Sequence, residues 1–233
     1  MIAVIGGGNV ATHLFNALKD KTDVCMVNPR TLEGLPENPE VIIISVSDKA
    51  ISEVARRLPH SDAIVVHTAG SVPMQIFEGI TDRFGVLYPL QTFTKNLDLN
   101  YKEIPVFVEG CNREVTEKVS DVAALFSENV NLADSKQRER LHLASVFACN
   151  FTNALAGMAQ DILTDSPFSL KDLLPLMQQT IDKLNILSPT LAQTGPAVRH
   201  DLPVMEKQLE SLRDFPELQQ IYSLISSYIM EKS

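Results

Sequence analysis

Four polar residues recur in an otherwise apolar run: His142, Ser145, Cys149 and Asn153, at i, i+3, i+7 and i+11. That spacing lines one stripe of a helix. His142 could exchange a proton with a carbonyl or an amine near neutral pH. Asn150 follows Cys149 directly and lies beside the stripe. Asparagine inside a helix is unfavourable unless its side chain is used. Asn150 or Asn153 could therefore hold a substrate oxygen or a cofactor carboxamide, with Ser145 in the same pocket. The same residues could instead form a satisfied hydrogen-bond network, or small-residue packing between helices. Further on, Arg199 in the stretch Gln193–Asp201 could pair with an anionic substrate group, with Asp201 orienting it or capping the next helix. An inter-domain salt bridge is the plainer alternative. Cys149 has no activating partner in sequence, which argues against a thiolate nucleophile.

Proton transfer needs a partner reaction, and the start of the chain supplies a candidate. Ile2-Ala3-Val4-Ile5 runs straight into Gly6-Gly7-Gly8-Asn9-Val10-Ala11, a G-x-G-x-x-A turn between a strand and a helix. There Gly6 makes the tight turn, Gly8 lets a pyrophosphate approach, and Ala11 keeps the helix close to the sheet. The backbone at Asn9 and Val10 then offers N–H groups and the positive end of a helix dipole. The second strand, Asp23–Asn28, ends in Asn28-Pro29-Arg30-Thr31. An NAD site usually carries Asp or Glu there. Asn28 removes a carboxylate that would repel a 2′-phosphate, while Arg30 and Thr31 supply donors, so NADP(H) is expected over NAD(H). Alternatively Asn28 and Pro29 only form a turn and Arg30 is solvated.

These groups require a sheet to position them. Residues 40–46 and 63–67 are near-continuous apolar runs, as expected of parallel strands covered on both faces. Ser47 follows the first of them and His67-Thr68-Ala69-Gly70 closes the second, where ligands bind on open α/β sheets. Ser47, His67 and Thr68 are therefore expected near the cofactor, and Tyr88–Phe93 could fold over the nicotinamide. Thr68 as a helix cap and Tyr88 as a rim core residue are the alternatives. Strands at 84–88, 104–109 and 129–132, with a helix over 112–127, complete an α/β doubly wound parallel sheet over residues 1–134. From 135 to 233 the pattern is all helical: one long helix over 136–164, then 169–187, 202–212 and 216–230. A helical domain this small would bury its surface better against a second subunit.

The formal net charge of -9, without a basic run, argues against nucleic acid. No stretch is long enough to span a membrane. The first strand begins at once and three cysteines lack metal-ligand spacing, so a cytoplasmic protein without a metal is expected.

Taken together, Gly6–Ala11, His67–Gly70, Tyr88–Phe93, the run from His142 to Asn153, and Thr194-Gly195-Pro196 with Arg199 and Asp201 resemble a specific group. These are Rossmann-like NADP-dependent oxidoreductases with a helical carboxyl-terminal domain of unknown function. More distantly the chain is similar to pyrroline-5-carboxylate reductase, ketopantoate reductase and 3-hydroxyacid dehydrogenases. It departs in two places: Tyr88 stands where many relatives carry His, and His200 where Gly is usual after Arg199. No lysine fits the role of the catalytic lysine in 3-hydroxyacid dehydrogenases. The resemblance implies a helical dimerisation domain, hence a homodimer, and a site between the domains. It also implies hydride transfer between NADP(H) and a small carbonyl, hydroxy acid or imine. A non-catalytic NADP(H)-binding sensor or scaffold is the alternative.

Overall fold

Alternation decides the first part of the chain. In β1 (Ile2–Ile5), β3 (Val41–Ile44) and β4 (Ile64–His67), successive apolar side chains point to opposite faces, and all are buried. Ile2, Val4, Val41 and Ile43 pack under α1 (Asn9–Leu18) and α3 (Arg113–Ala124). Ala3, Ile5, Ile42 and Ile44 pack on the other face, with α2 (Ile51–Arg56) and Phe77. In this computed structural model, which describes Met1 to Ser233, β2 (Val24–Val27), β5 (Phe84–Pro89), β6 (Val106–Gly110) and β7 (Val130–Leu132) complete a seven-stranded sheet. Its order is β2-β1-β3-β4-β5-β6-β7. The architecture is Rossmann-like, with one departure from the expected all-parallel sheet: β6 runs antiparallel to β5. The reason lies in the connection. Between these strands the chain forms a loop with a single 3-10 turn, Tyr101–Glu103, instead of a crossover helix. Gly85 permits this pairing, since a Cβ there would lie 2.2 Å from the Glu109 carbonyl oxygen.

The chain divides into two compact units, Met1–Asn150 and Phe151–Ser233. The boundary expected at 134/135 is corrected, because α4 (Ser135–Ser145) is bound into the first unit. Its Arg138 is 1% exposed and pairs with Glu109 of β6, while also donating to the Val72 carbonyl. The single helix expected over 136–164 is also interrupted: a π turn occupies Val146–Phe151 before α5 (Thr152–Ile162).

The second unit contains α5, α6 (Leu170–Lys183), α7 (Pro189–Ala192), α8 (Leu202–Ser211) and α9 (Pro216–Lys232). Local capping sets the starts. Ser169 and Asp172 form a capping box, the Ser188 hydroxyl accepts the Leu191 N–H, and the Asp201 carboxylate accepts the Val204 N–H. Few of its side chains are buried, whereas Ile186, Leu191 and Leu224 are 86%, 74% and 72% exposed. No helix in either unit is long and apolar enough to cross a membrane.

Gly85→Ala is expected to lower stability by about 2 kcal/mol, because backbone on both strands must shift to admit the methyl group. An unchanged urea unfolding midpoint would contradict that account of the β5–β6 pairing.

Candidate functional site

The glycine turn sits between β1 and α1 at the carboxyl edge of the sheet. Gly6 has φ +154, and a Cβ on it would lie 2.1 Å from the Ser45 carbonyl oxygen and 3.0 Å from the Ala11 Cβ. Close packing of turn, β3 and helix therefore requires glycine at position 6. Gly7 and Gly8 are different, because nothing lies within 4 Å of where their Cβ atoms would be. Gly8 is the N-cap of α1, has no side chain with which to cap it, and the first turn holds no acidic residue. The leading N–H groups and the positive dipole end thus face open space, which fits a dinucleotide pyrophosphate. The Asn9 side chain is engaged within the protein, its Nδ2 donating to the Phe93 carbonyl at 2.8 Å. His13, one turn further along α1, bonds the Tyr101 hydroxyl and the Thr94 carbonyl through its two ring nitrogens. The loop after Tyr88 is thereby anchored on α1.

At the end of β2, Asn28 Oδ1 accepts the Arg30 N–H at 2.8 Å and the Thr31 N–H at 3.4 Å. Its side chain forms the turn, as one of the two sequence readings had it. Arg30 and Thr31 are left exposed on that turn. Arg57, at the end of α2, reaches the same loop: Nη1 donates to the Pro29 carbonyl at 3.3 Å and Nη2 to the Arg30 carbonyl. Sequence reading missed Arg57, whose only signal was a pair of arginines before a helix-ending Leu-Pro.

Beyond β3 and β4 the expected residues separate into exposed and buried ones. Ser47 is exposed and caps the turn Asp48–Ala50 without using its hydroxyl. Thr68 donates to the buried Ser45 hydroxyl at 3.2 Å. His67 is corrected from a cofactor contact to a core residue: it is fully buried, and its ring packs against Phe77 at 5.5 Å between centroids and a 48° tilt. Its Nδ1 accepts the Ala69 N–H at 3.2 Å, so the imidazole shapes the loop from below. Burial, reinforced by the Arg138 charge, lowers its pKa to about 4 against the opposing Pro73 carbonyl and Asp48 carboxylate.

The proton-transfer candidate is built where α4 crosses this loop. Gly70 has no room for a side chain, since a Cβ would lie 2.8 Å from both His142 Nδ1 and Tyr88 Cζ. The Tyr88 hydroxyl lies 3.1 Å from His142 Nδ1, with the rings edge to face at 6.1 Å. Burial pushes the Tyr88 phenol above its ordinary pKa, with the Ser145 hydroxyl and the Arg138 charge acting the other way. The phenol is therefore protonated at neutral pH. When it donates to Nδ1, neutral His142 carries its proton on Nε2. Ser145 donates its hydroxyl to the His142 carbonyl at 2.7 Å. Arg138 lies one helical turn before His142 and fixes α4 to β6 through Glu109 and to the loop after β4 through the Val72 carbonyl. Breaking such a buried pair costs about 3–5 kcal/mol. Its burial was hidden by the charged run Lys136–Arg140, which reads as a solvated face.

Asn150 is exposed in the π turn, a local feature frequent at functional sites. The extra residue in that turn changes the stripe read from a regular helix, moving Asn150 towards the phase given to Cys149. Asn153 lies on α5 and Arg199 in the 3-10 turn Ala197–Arg199, both exposed in the second unit. Asp201 caps α8, the structural one of its two expected roles.

A glycine turn at a helix start, on a sheet of order β2-β1-β3-β4-β5-β6-β7, defines a Rossmann-like architecture. The chain belongs to the family described as a domain of unknown function, DUF2520, which it matches over residues 104–229. A protein of Bacteroides fragilis assigned as an NADP oxidoreductase is 36% identical, with 99% of this chain and 97% of that chain covered and a TM-score of 0.91. The fold is shared with an imine reductase from Aspergillus terreus solved with NADPH4 and a dibenzazepine. That pair is 15% identical, covering 95% of this chain and 92% of the other at a TM-score of 0.65. A pyrroline-5-carboxylate reductase from Coxiella burnetii is 16% identical, covering 99% and 96% of the two chains at a TM-score of 0.55. No curated protein sequence matches the chain.

His67 gives a pH prediction. Its folded pKa of about 4 lies below the unfolded value of 6.5, so the unfolded chain takes up the proton first as pH falls. Stability from this group is complete above pH 6.5 and is lost progressively down to about pH 4, a loss on the order of 3 kcal/mol. Urea midpoints of His67→Gln should fall less steeply than wild type across that window; parallel slopes would contradict the assignment.

Proposed function

We propose that this protein is an NADP-dependent oxidoreductase acting on a small carbonyl, hydroxy acid or imine. The observation that carries the reading is the His142–Tyr88 pair over Gly70, at the same sheet edge as an open phosphate turn. The relative of Bacteroides fragilis, assigned as an NADP oxidoreductase, supports the cofactor and the general activity. Bound NADPH would supply the hydride.

The residues of the chain bind and protonate. The amino end of α1 takes the pyrophosphate, and Arg30 and Thr31 the adenosine 2′-phosphate. Ser47 and Thr68 line the edge between phosphate turn and reacting centre. His142 delivers a proton from Nε2 to the oxygen or nitrogen of the reduced substrate, while Tyr88 holds Nδ1 and so fixes which nitrogen carries the proton. Asn150 orients the substrate and Ser145 borders the pocket. The apolar side chains left exposed in the second unit support a homodimer formed through it.

NADPH oxidation with a panel of cyclic imines and small 2-oxo acids tests the reading. His142→Gln should lower turnover by about 100-fold or more while NADPH affinity stays within about twofold. Unchanged turnover would remove His142 as the proton donor. NADPH binding without turnover of any substrate would favour the sensor or scaffold. Light scattering at micromolar concentration should give twice the chain mass; a monomer would contradict the dimer.

A further inference from the structure

The loop that follows β2 is held from two directions. Asn28 closes it from within by accepting the Arg30 and Thr31 N–H groups, and Asn28 also exchanges backbone hydrogen bonds with Leu32 and Glu33. Arg57 holds it from outside, its guanidinium bridging the Pro29 and Arg30 carbonyls. Those two bonds use two of the five N–H donors of the side chain. Arg57 is exposed, and neither it nor Arg30 takes part in an ion pair within the chain. Arg57 therefore brings a guanidinium without an ion-pair partner to the turn that carries Arg30, in a protein whose formal net charge is -9. An arginine at the end of α2 would complement the helix dipole wherever its side chain pointed. Holding the outer loop across 27 residues of sequence is a separate feature that the dipole does not explain.

We propose that Arg57 is a specificity-determining residue that reads the 2′-phosphate of the nucleotide together with Arg30. The proposal rests on the NADP reading above. Its fork keeps the Pro29–Arg30 backbone in the shape that presents the Arg30 side chain, and its remaining donors and charge face the same phosphate. A ligand without the 2′-phosphate gains neither contribution, so Arg57 raises discrimination between the two nucleotides instead of affinity for both.

Calorimetric titration of the full chain with adenosine 2′,5′-bisphosphate and with AMP separates these roles. Wild type should prefer the bisphosphate. Arg57→Gln should weaken bisphosphate binding by about tenfold or more and leave AMP within about twofold. Arg57→Lys, which keeps the charge but cannot bridge two carbonyls as a planar fork, should fall between them. Equal weakening of both ligands by Arg57→Gln would reduce Arg57 to a structural clamp and overturn the proposal, as would no change in either. A wild type without preference for the bisphosphate would defeat the NADP reading itself and the proposal with it.

Discussion

The close approach of Gly6 to the Ser45 carbonyl oxygen and to Ala11 is the constraint from which the rest of the first unit follows. Any side chain at position 6 would push α1 away from β3, and the helix start would no longer face the edge where β3 and β4 end. With that packing in place, α1 begins on an uncapped Gly8 without an acidic neighbour. Its amino end keeps the positive partial charge that a protein side chain would otherwise satisfy. The turn thus joins a position of close packing at Gly6 to an electrostatic one at Gly8. The close packing that only glycine allows at position 6 fixes the orientation of the charge beyond Gly8.

The second half of the site depends on a different kind of force. His142 stands on a helix that bears little apolar surface on its first turns, so hydrophobic packing alone would not fix its phase. Arg138 does so instead, through a buried pair with Glu109 and a bond to the Val72 carbonyl. The geometry is costly in desolvation and specific in return, because the guanidinium fork accepts few orientations. The outcome is a half-buried histidine whose ring lies against Gly70 and Tyr88. The same positive charge acts on His67 beneath the loop, where it helps to hold that imidazole neutral. Two histidines at one sheet edge thereby have distinct surroundings, His67 enclosed in the core and His142 set against the Tyr88 hydroxyl.

Much of this was legible in the sequence because it depends on local rules. The strands β1, β3 and β4 declare themselves by apolar runs, the phosphate turn by its glycines, and the start of α8 by Asp201. Even a departure from relatives carried information: His200, where glycine is usual, has φ 52 in the left-handed region. What remained hidden depends on distant partners. His67 reads as a loop-end ligand, and only the packing of Phe77 and Arg138 around it shows that it is core. Arg138 and Arg57 each look like solvated charges until β6 and the β2 loop are placed beside them. The antiparallel turn of β6 was unreadable for a similar reason, since its run of apolar residues does not encode direction and the loop before it contains no crossover helix.

The central claim is that the amino end of α1 and the loop after β2 form one site for a phosphorylated dinucleotide. Calorimetric titration of the purified protein with NADPH and with NADH tests it most directly. The account predicts saturable binding of NADPH at one site per chain and at least about tenfold weaker binding of NADH. A folded protein that binds neither nucleotide, or binds both equally, would contradict it.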